Sequence, residues 1–347
     1  MFFRLVLGWL ATLQRKMFQE TMNAMQILAR PCCSPTLHRI HLALLCGMLL
    51  SLSFFAFPLA AQDAPPASPG QQRTAFVPPG SDVLAYWYGP NYRTIFVTKP
   101  NSADAANIPR NSLEYTHAGF WTMGSNVGDL TLSKSNMAEP ANGGGSGAVE
   151  VYFIWRSTLG LNEVTHSRSF HVGPLRDVSV ELGTNLETKN SSYSPAEKTI
   201  YFGPTLQFAV PKGFFNVGLH LRKEWNHEAV LGKADDYASD FNIEPTWMLP
   251  FAIGKVLMAY SGFAEYNTPK GKDSFGAAPV SEFLLRNYVS VDLGALLLHK
   301  PQLIELNGGF WYWNNEYGKS GSDPGAKQFT PIFGIALRLD KSRAHHN

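Results

Sequence analysis

The chain has 347 residues, of which 16% are charged and 13% are aromatic, and it contains 30 glycines and 23 prolines. This composition excludes a disordered chain, a coiled coil and a highly charged nucleic-acid binder. Residues 1–61 hold five of the 29 basic and one of the 27 acidic side chains, so the remaining 24 and 26 make a nearly neutral body. Such a body offers no clustered lysine and arginine for phosphates, and no nucleic-acid partner is expected.

The first predicted element is a secretory signal peptide within residues 1–61. An uncharged apolar run over residues 42–57 follows Arg39 and is succeeded by small residues up to Ala61. The run is shorter than the roughly 20 residues of a membrane-spanning helix, so cleavage after Ala61 is expected, with a retained anchor as the alternative. The body is expected to lack disulfides and Cys-ligated metals. The reason is that every cysteine of the chain lies in this leader: Cys32, Cys33 and Cys46.

Residues 62–80 are predicted to form a flexible, proline-containing lead-in, and residues 81–340 the folded body. The body alternates apolar with polar or small residues, as in Phe215, Val217 and Leu219 against Asn216 and Gly218. This alternation, broken by Gly, Pro, Asn, Asp and Ser clusters, predicts strands and turns. Twelve strands are predicted to start near Val83, Arg110, Val127, Ala148, Val172, Lys198, Gly213, Ser239, Ile253, Leu285, Pro301 and Gln328. Residues 341–347 are predicted to be a polar tail.

Two features of the predicted strands favour a membrane barrel over a soluble sandwich. Charged residues occupy the polar face in mid-strand, among them Glu150, Asp177, Glu181, Arg222, Glu244, Asp292 and Glu305. Aromatic residues fall mostly toward strand ends, where interfacial girdles would place them: Tyr86, Trp87, Tyr88, Trp121, Trp155, Trp225, Trp247 and Tyr312. The prediction is an all-β fold, a closed antiparallel transmembrane β-barrel of about 12 strands in the bacterial outer membrane. A soluble periplasmic β-sandwich is the alternative.

Several segments of the body resemble one known family, the nucleoside-specific channel-forming (Tsx-like) outer-membrane porins. Residues 111–121 (NSLEYTHAGFW) are similar to the family's early strand with its N-x-L-x-x-x-H-A stretch. Residues 247–251 (WMLPF) resemble its W-x-x-P-F turn, and residues 262–266 (GFAEY) its G-F-x-acid-Y strand end. Residues 300–318, which close on YWNNEYG, are similar to its penultimate strand. Together these segments span roughly residues 111–339 in the family's order.

The resemblance implies an outer-membrane channel for passive diffusion of nucleosides and similar small polar solutes, surrounded by outer-membrane lipid and without a cofactor. Aromatic side chains can stack on a base, and carboxylates can accept hydrogen bonds from ribose hydroxyls. For the charged candidates, the alternative is that pairs such as Glu181 or Glu244 with Arg222 only cross-link strands. Alternation places the candidate substrate-contacting and pore-lining residues on the inward face: Glu114, Glu150, Tyr152, Asp177, Glu181, Tyr201, His220, Arg222, Glu244, Asp292, Glu305, Trp311 and Trp313.

Catalytic and metal-binding arrangements are weak in this sequence, and no enzymatic activity is expected. The nearest pairs of a hydroxyl residue and a histidine, Thr116-His117 and His166-Ser167, have no motif around them. No second histidine at ligand spacing accompanies His220, so no metal site is expected.

A second function stays open at this stage, a non-selective or poorly conducting outer-membrane barrel that serves as a surface receptor or structural protein. Bacteriophage or partner proteins would then bind the long loops near residues 137–147 and 266–280. Such a barrel would keep the same fold but would not discriminate among solutes.

Overall fold

The structure is a computed structural model that describes residues 81–193, 195–228, 232–273 and 276–339, apart from the side chains of Glu228 and Lys233. The predicted leader, lead-in and polar tail lie outside these residues. All described residues fall within one compact unit. Among them, no helix is long and apolar enough to cross a membrane.

Thirteen strands make up most of the described chain. They are β1 (Ser81–Tyr92), β2 (Ile108–Trp121), β3 (Gly124–Ser135), β4 (Val149–Gly160), β5 (Leu175–Lys189), β6 (Lys198–Phe208), β7 (Phe214–Glu228), β8 (Lys233–Asp236), β9 (Asp240–Ile253), β10 (Val256–Asn267), β11 (Glu282–Asp292), β12 (Ile304–Asn314) and β13 (Lys327–Arg338). Two short helices, α1 (Leu161–Thr165) and α2 (Leu293–Leu298), and a 3₁₀ turn at Glu316–Gly318 lie in connections. Each predicted strand start lies within three residues of an observed one, and β8 alone of the described strands was not predicted.

Twelve of these strands close into an antiparallel barrel. Consecutive strands pair from β1 to β7 and from β9 to β13, and β7 also pairs with β9. The cylinder closes where β1 pairs with β13, with Val83 opposite Arg338 and Tyr88 opposite Phe333. The short β8 pairs with the end of β7 beyond β9. Because each barrel strand has two neighbours, backbone polar groups are satisfied within the wall, as lipid surroundings require.

The connections define two different ends of the barrel. The terminal end, where β1 begins and β13 ends, carries the connections 122–123, 161–174, 209–213, 254–255 and 293–303. The long-loop end carries the connections 93–107, 136–148, 190–197, 229–239, 268–281 and 315–326. Outer-membrane barrels keep short turns on the periplasmic side and longer loops outside. The terminal end is therefore the periplasmic one.

The outer face of the wall is apolar and the inner face is polar. On β6 and β7 the outward Ile200, Phe202 and Leu221 are 46%, 56% and 50% exposed, whereas the inward Tyr201 and Arg222 are 1% and 3% exposed. A soluble protein buries apolar side chains and exposes charged ones, which is the reverse arrangement. The apolar outer face is suited to lipid, and the protein is an outer-membrane β-barrel.

Gly213 makes a close approach that permits the tight 209–213 connection. Its φ is +80°, and a Cβ at this position would lie 1.8 Å from the backbone oxygen of Met248. Gly213→Ala is therefore expected to lower the free energy of unfolding by at least about 2 kcal/mol, because a left-handed conformation alone costs about 1–2 kcal/mol. Gly232→Ala is the matched control, since Gly232 has a φ of +63° but open space around it. Urea unfolding in detergent micelles checks both, and equal losses would contradict a role for the close approach.

Candidate functional site: the barrel lumen

The lumen is the candidate functional site, and every predicted lining residue lies on its wall. Glu114 of β2 contacts Arg286 of β11 inside the barrel, and the strand register carries the same inward face from each strand to the next. A role in solute binding stays a prediction for all of these residues. The predicted residues with inward side chains are Glu114, Glu150, Tyr152, Asp177, Glu181, Tyr201, His220, Arg222, Glu244, Asp292, Glu305, Trp311 and Trp313.

An ion pair between Arg156 of β4 and Glu244 of β9 crosses the lumen. Arg156 Nη2 lies 3.0 Å from Glu244 Oε2, with β5, β6 and β7 forming the wall behind the pair. Arg156 Nη1 also donates to Asn185 Oδ1 at 2.8 Å, and Arg156 Nε lies 3.5 Å from Glu181 Oε1. The guanidinium sits 4.3 Å from the ring centroid of Tyr201. The planar, many-donor guanidinium thus links four strands across the lumen.

A second cross-lumen ion pair joins Arg286 of β11 to Glu114 of β2. The contact is bidentate, with Nη1 to Oε2 at 2.7 Å and Nη2 to Oε1 at 3.3 Å, and β12, β13 and β1 lie behind it. Trp87 Nε1 donates to Glu114 Oε1 at 3.2 Å, and the Trp87 ring lies 4.5 Å from the guanidinium. Bidentate pairs of this kind are geometrically specific. The two hydrogen bonds therefore fix the orientation of the Arg286 guanidinium relative to the Glu114 carboxylate.

The two cross-lumen ion pairs leave a gap between the walls β2–β4 and β9–β11, which we call the central gap. Partly exposed side chains line it, namely Asp129, Thr131, Ile154 and Phe263. Behind the ion pairs the lumen is filled, because Tyr201 and Thr330 are 1% and 0% exposed. Water at this depth therefore reaches the central gap and not the space behind the ion pairs.

The half of the lumen toward the long-loop end is packed with charged side chains. Arg222 lies 3.1 Å from both Asp240 and Glu224, and Lys270 of the 268–281 connection also pairs with Glu224. These side chains are almost fully buried. In the opposite half, the inward Val127 is 36% exposed. The lumen in this conformation is thus open toward the terminal end and closed toward the long-loop end.

Loops fold over the long-loop end and bury a small apolar cluster. Ile95 and Ala326 of two different loops are 3% and 0% exposed, and Tyr317 packs against them. The Tyr317 hydroxyl donates to Glu187 Oε1 of β5 at 2.8 Å. We call this covering of the lumen by the 93–107 and 315–326 loops the loop cap.

A buried ion-pair group ties the 136–148 loop to the strand ends below the loop cap. Lys189 lies 2.7 Å from Glu139 and 2.9 Å from Glu150, and Arg110 lies 3.5 Å from each of the same two carboxylates. Burial alone would raise the pKa of Glu139, but Lys189 and Arg110 hold that pKa below its ordinary value. Glu150, a predicted lining residue, is therefore also a cross-link between strands and loop.

Glu316 of the loop cap gives a pH-dependent prediction. Burial raises its pKa from 4.5 to about 8, although Lys189 and Arg110 oppose the rise. Between these two pH values the unfolded chain loses this proton and the folded protein keeps it, so the contribution of Glu316 to stability falls as the pH rises. The stability of Glu316→Gln relative to that of wild type should therefore increase as the pH is raised from about 5 to about 8. Urea unfolding at the two pH values checks this, and a constant stability difference would contradict it.

Aromatic rings form a connected row from the central gap toward the loop cap. The ring centroids of Phe263 and Trp311 are 6.4 Å apart, those of Trp311 and Trp313 6.1 Å, and those of Trp313 and Tyr317 5.7 Å. Trp313 Nε1 donates to Glu282 Oε1 at 2.7 Å, whereas the buried Nε1 of Trp311 has no hydrogen-bond partner among the described residues. Rings with a polar handle suit a flat solute that also forms hydrogen bonds.

The prediction that Trp87 belongs to an interfacial girdle is wrong. The side chain points inward and is 5% exposed, packed with Ala85, Ile332 and Ala336. Room for the indole comes from Gly334 on β13, where a Cβ would lie 2.6 Å from the Trp87 ring. The absence of a side chain at Gly334, near the other end of the chain, therefore leaves space for the inward ring of Trp87.

The cross-linking alternative named Arg222 as the partner of Glu181 or Glu244, but Arg156 is the base that contacts both carboxylates. Arg156 and Arg286 were not predicted as inward residues. Alternation could have found Arg156, since it lies on the same face of β4 as the predicted Glu150.

Two predicted lining carboxylates bind the backbone of terminal-end connections. Asp292 accepts hydrogen bonds from the Ala295 and Gln302 nitrogens at 2.8 and 2.7 Å, which caps α2. Asp177 accepts from the Asn162 nitrogen at 3.1 Å in α1. Both side chains therefore position these connections at the mouth of the lumen.

The neighbouring hydroxyl and histidine residues do not form catalytic pairs in the described chain. Thr116 donates to Asp129 at 2.6 Å inside the barrel, whereas His117 Nδ1 lies 2.8 Å from Asp82 on the outer face. Ser167 contacts other hydroxyls and not a histidine ring. The described residues also contain no group of three or more His, Cys, Asp and Glu side chains placed to hold a metal.

No family model and no curated protein matches the chain. Among solved structures it is similar to the COG4313 outer membrane channel from Pseudomonas putida F1, at 8% identity and a TM-score of 0.41, over 79% of this chain and 100% of that one. It is also similar to the translocator domain of the autotransporter NalP from Neisseria meningitidis, at 11% identity and a TM-score of 0.39, over 86% and 96% of the two chains. The KdgM porin is a further similar structure, at 8% identity and a TM-score of 0.35, over 74% and 98%.

Proposed function

We propose that the protein is an outer-membrane channel for passive diffusion of small polar solutes, and that nucleosides are among them. The distribution of polarity carries the proposal, because an apolar outer face surrounds a lumen into which charged and hydroxyl side chains project from strands all around the wall. Conduction requires contacts that are weak and repeated, so that a solute enters and also leaves. The central gap, between the cross-lumen ion pairs, is the path through the middle of the barrel.

The aromatic row supports nucleosides as the solute class, together with the resemblance to Tsx-like porins. A base stacked on an aromatic side chain gains about 1–3 kcal/mol whatever its identity. Phe263 offers a ring on the central gap, Trp311 packs against it with a buried indole nitrogen that has no partner among the described residues, and Glu282 lies next along the row through Trp313. A nucleoside would stack its base on these rings while its ribose hydroxyls contact carboxylates.

The test is efflux of labelled adenosine and labelled glucose from vesicles that contain the purified barrel. Trp311→Ala should lower the ratio of adenosine to glucose flux, because it removes the ring that packs against Phe263 of the central gap. The matched control is Trp225→Ala, which removes an outward tryptophan that is 36% exposed and should leave the ratio unchanged. An unaltered ratio in Trp311→Ala would contradict nucleoside selectivity, and no flux of either solute would contradict the channel.

A second candidate is the poorly conducting barrel that acts as a receptor, and the loop cap favours it. Ile95 and Ala326 seal the long-loop end, while Phe96 and Met137 on neighbouring loops are 60% and 58% exposed. Exposed apolar loop residues of this kind are suited to a protein partner or a bacteriophage. A correctly folded barrel that passes neither adenosine nor glucose, but whose partner binding is lost on shortening the 136–148 loop, would establish this candidate.

A further inference from the structure

We infer that the open lumen prefers cations and rejects anions, so that small inorganic cations and ammonium-bearing solutes pass more readily than anionic solutes of the same size. This inference rests on the proposed channel function and deepens it by naming the charge of the preferred solutes. Three observations support it, namely the charge of the wall, the carboxylates at the central gap and a buried carboxylate oxygen. The electrostatics of a narrow pore connects them to ion selectivity.

The wall separates charge between its two faces. Among the described residues of the twelve barrel strands, inward carboxylates are more than twice as numerous as inward basic groups. The outward face of the same strands carries lysines instead, at Lys134, Lys198, Lys223 and Lys327. The wall is therefore acidic on its inner face, although the body as a whole is nearly neutral. The inward basic groups are Arg110, Arg156, Lys189, Arg222, Arg286 and Arg338.

Two carboxylates without an ion-pair partner among the described residues belong to the strands that border the central gap. Asp129 of β3 accepts from the Thr116 and Thr131 hydroxyls, at 2.6 and 3.0 Å. Glu265 of β10 accepts from Tyr201 Oη and Asn242 Nδ2, both at 3.1 Å. Neither carboxylate forms an ion pair with a described residue. Asp129 is partly exposed, whereas Glu265 is only 9% exposed and acts on a solute in the gap through the field of its charge.

Glu224 supplies an independent observation in the long-loop half of the lumen. Its side chain is 1% exposed, and Oε2 is paired with Arg222 and Lys270. The other oxygen, Oε1, is buried and has no hydrogen-bond partner among the described residues. A buried carboxylate oxygen without a donor is costly, so this part of the lumen has acceptor capacity beyond the two basic groups that it holds.

The physics of a narrow charged pore turns this imbalance into selectivity. In a lumen filled with water, hydrated Asp and Glu carboxyl groups carry their negative charge at neutral pH. A cleft with one sign of charge and low-dielectric walls concentrates ions of the opposite sign, and rings of Asp and Glu select cations in other channels. The acidic wall therefore raises the local concentration of cations and lowers that of anions.

The experiment is the reversal potential of the wild-type channel in a planar bilayer at about pH 7.4, with a tenfold KCl gradient. The expected permeability ratio of K⁺ to Cl⁻ is at least about five. The double variant Asp129→Asn/Glu265→Gln should bring the ratio at least about twofold closer to one. The matched control is Asp104→Asn/Asp236→Asn, which should leave the ratio unchanged, because these two exposed carboxylates lie in the 93–107 loop and in β8, outside the barrel strands.

The outcomes separate this inference from the function on which it rests. A current whose permeability ratio of K⁺ to Cl⁻ is near one, or that prefers Cl⁻, overturns the cation preference but leaves the channel function unaffected. Absence of any current from folded wild-type barrel overturns the channel, and the cation preference falls with it. The permeability ratio of the wild-type channel is sufficient to test the cation preference, so the experiment remains decisive even if the double variant fails to fold.

Discussion

Arg286→Met is expected to lower the free energy of unfolding of the barrel by about 3–5 kcal/mol, which is the cost of leaving one partner of a buried ion pair without the other. Arg286 holds Glu114 through two hydrogen bonds, at 2.7 and 3.3 Å. Glu114 is 8% exposed, and Trp87 Nε1 would be its only remaining donor among these groups. The buried carboxylate would then lack the charge that compensates it. Urea unfolding in lipid vesicles, followed by tryptophan fluorescence, measures the loss.

Two comparisons isolate the ion pair in that experiment. The double variant Arg286→Met/Glu114→Met should recover most of the loss, because replacing a whole buried pair by apolar groups of similar volume is often neutral or stabilising. Arg93→Met is the matched control in an exposed loop, where it breaks only a hydrogen bond to Asn107 and should change stability by less than about 0.5 kcal/mol. A double variant as unstable as the single one would show that packing, and not the unpaired charge, sets the cost.

Removal of the first cross-lumen ion pair is expected to increase the single-channel conductance at least about twofold, because conductance follows the width of the narrowest part of a pore. The variant Arg156→Ala/Glu244→Ala deletes both side chains that span the lumen from β4 to β9. The space in front of Tyr201 then joins the central gap. Single-channel recording of wild type and variant under the same salt conditions measures the change.

The matched control for the conductance is Arg338→Ala/Glu305→Ala. This pair is also an inward arginine and glutamate, 3.5 Å apart, but it links the neighbouring strands β12 and β13 and does not cross the lumen. Its removal should leave the conductance almost unchanged. Equal conductance in wild type and Arg156→Ala/Glu244→Ala would mean that the narrowest part lies elsewhere, in the loop cap.

The strands and their inward faces could be predicted because alternation is a local property of the sequence. Phe215, Val217 and Leu219 occur at every second position, and such a pattern requires no knowledge of the neighbouring strand. The strand β8 was missed for the same reason. Its four residues, Lys233–Asp236, contain no apolar alternation and pair only with the end of β7.

The contacts inside the lumen could not be predicted, because they depend on which strands face one another across the barrel. Arg156 and Glu244 are 88 positions apart, and Arg286 and Glu114 are 172 positions apart. Only closure of the barrel brings each pair together. The filling of the long-loop half by side chains could not be predicted either, since the same polar residues would line an open pore or a packed one.

The most direct test of the channel is single-channel current from detergent-purified protein in a planar bilayer, with and without adenosine. The proposed function predicts small current steps through the central gap, which adenosine partly blocks and glucose does not. Steps that adenosine leaves unchanged would contradict nucleoside selectivity and leave a general pore. Absence of current from folded barrel would contradict the channel itself and favour the receptor.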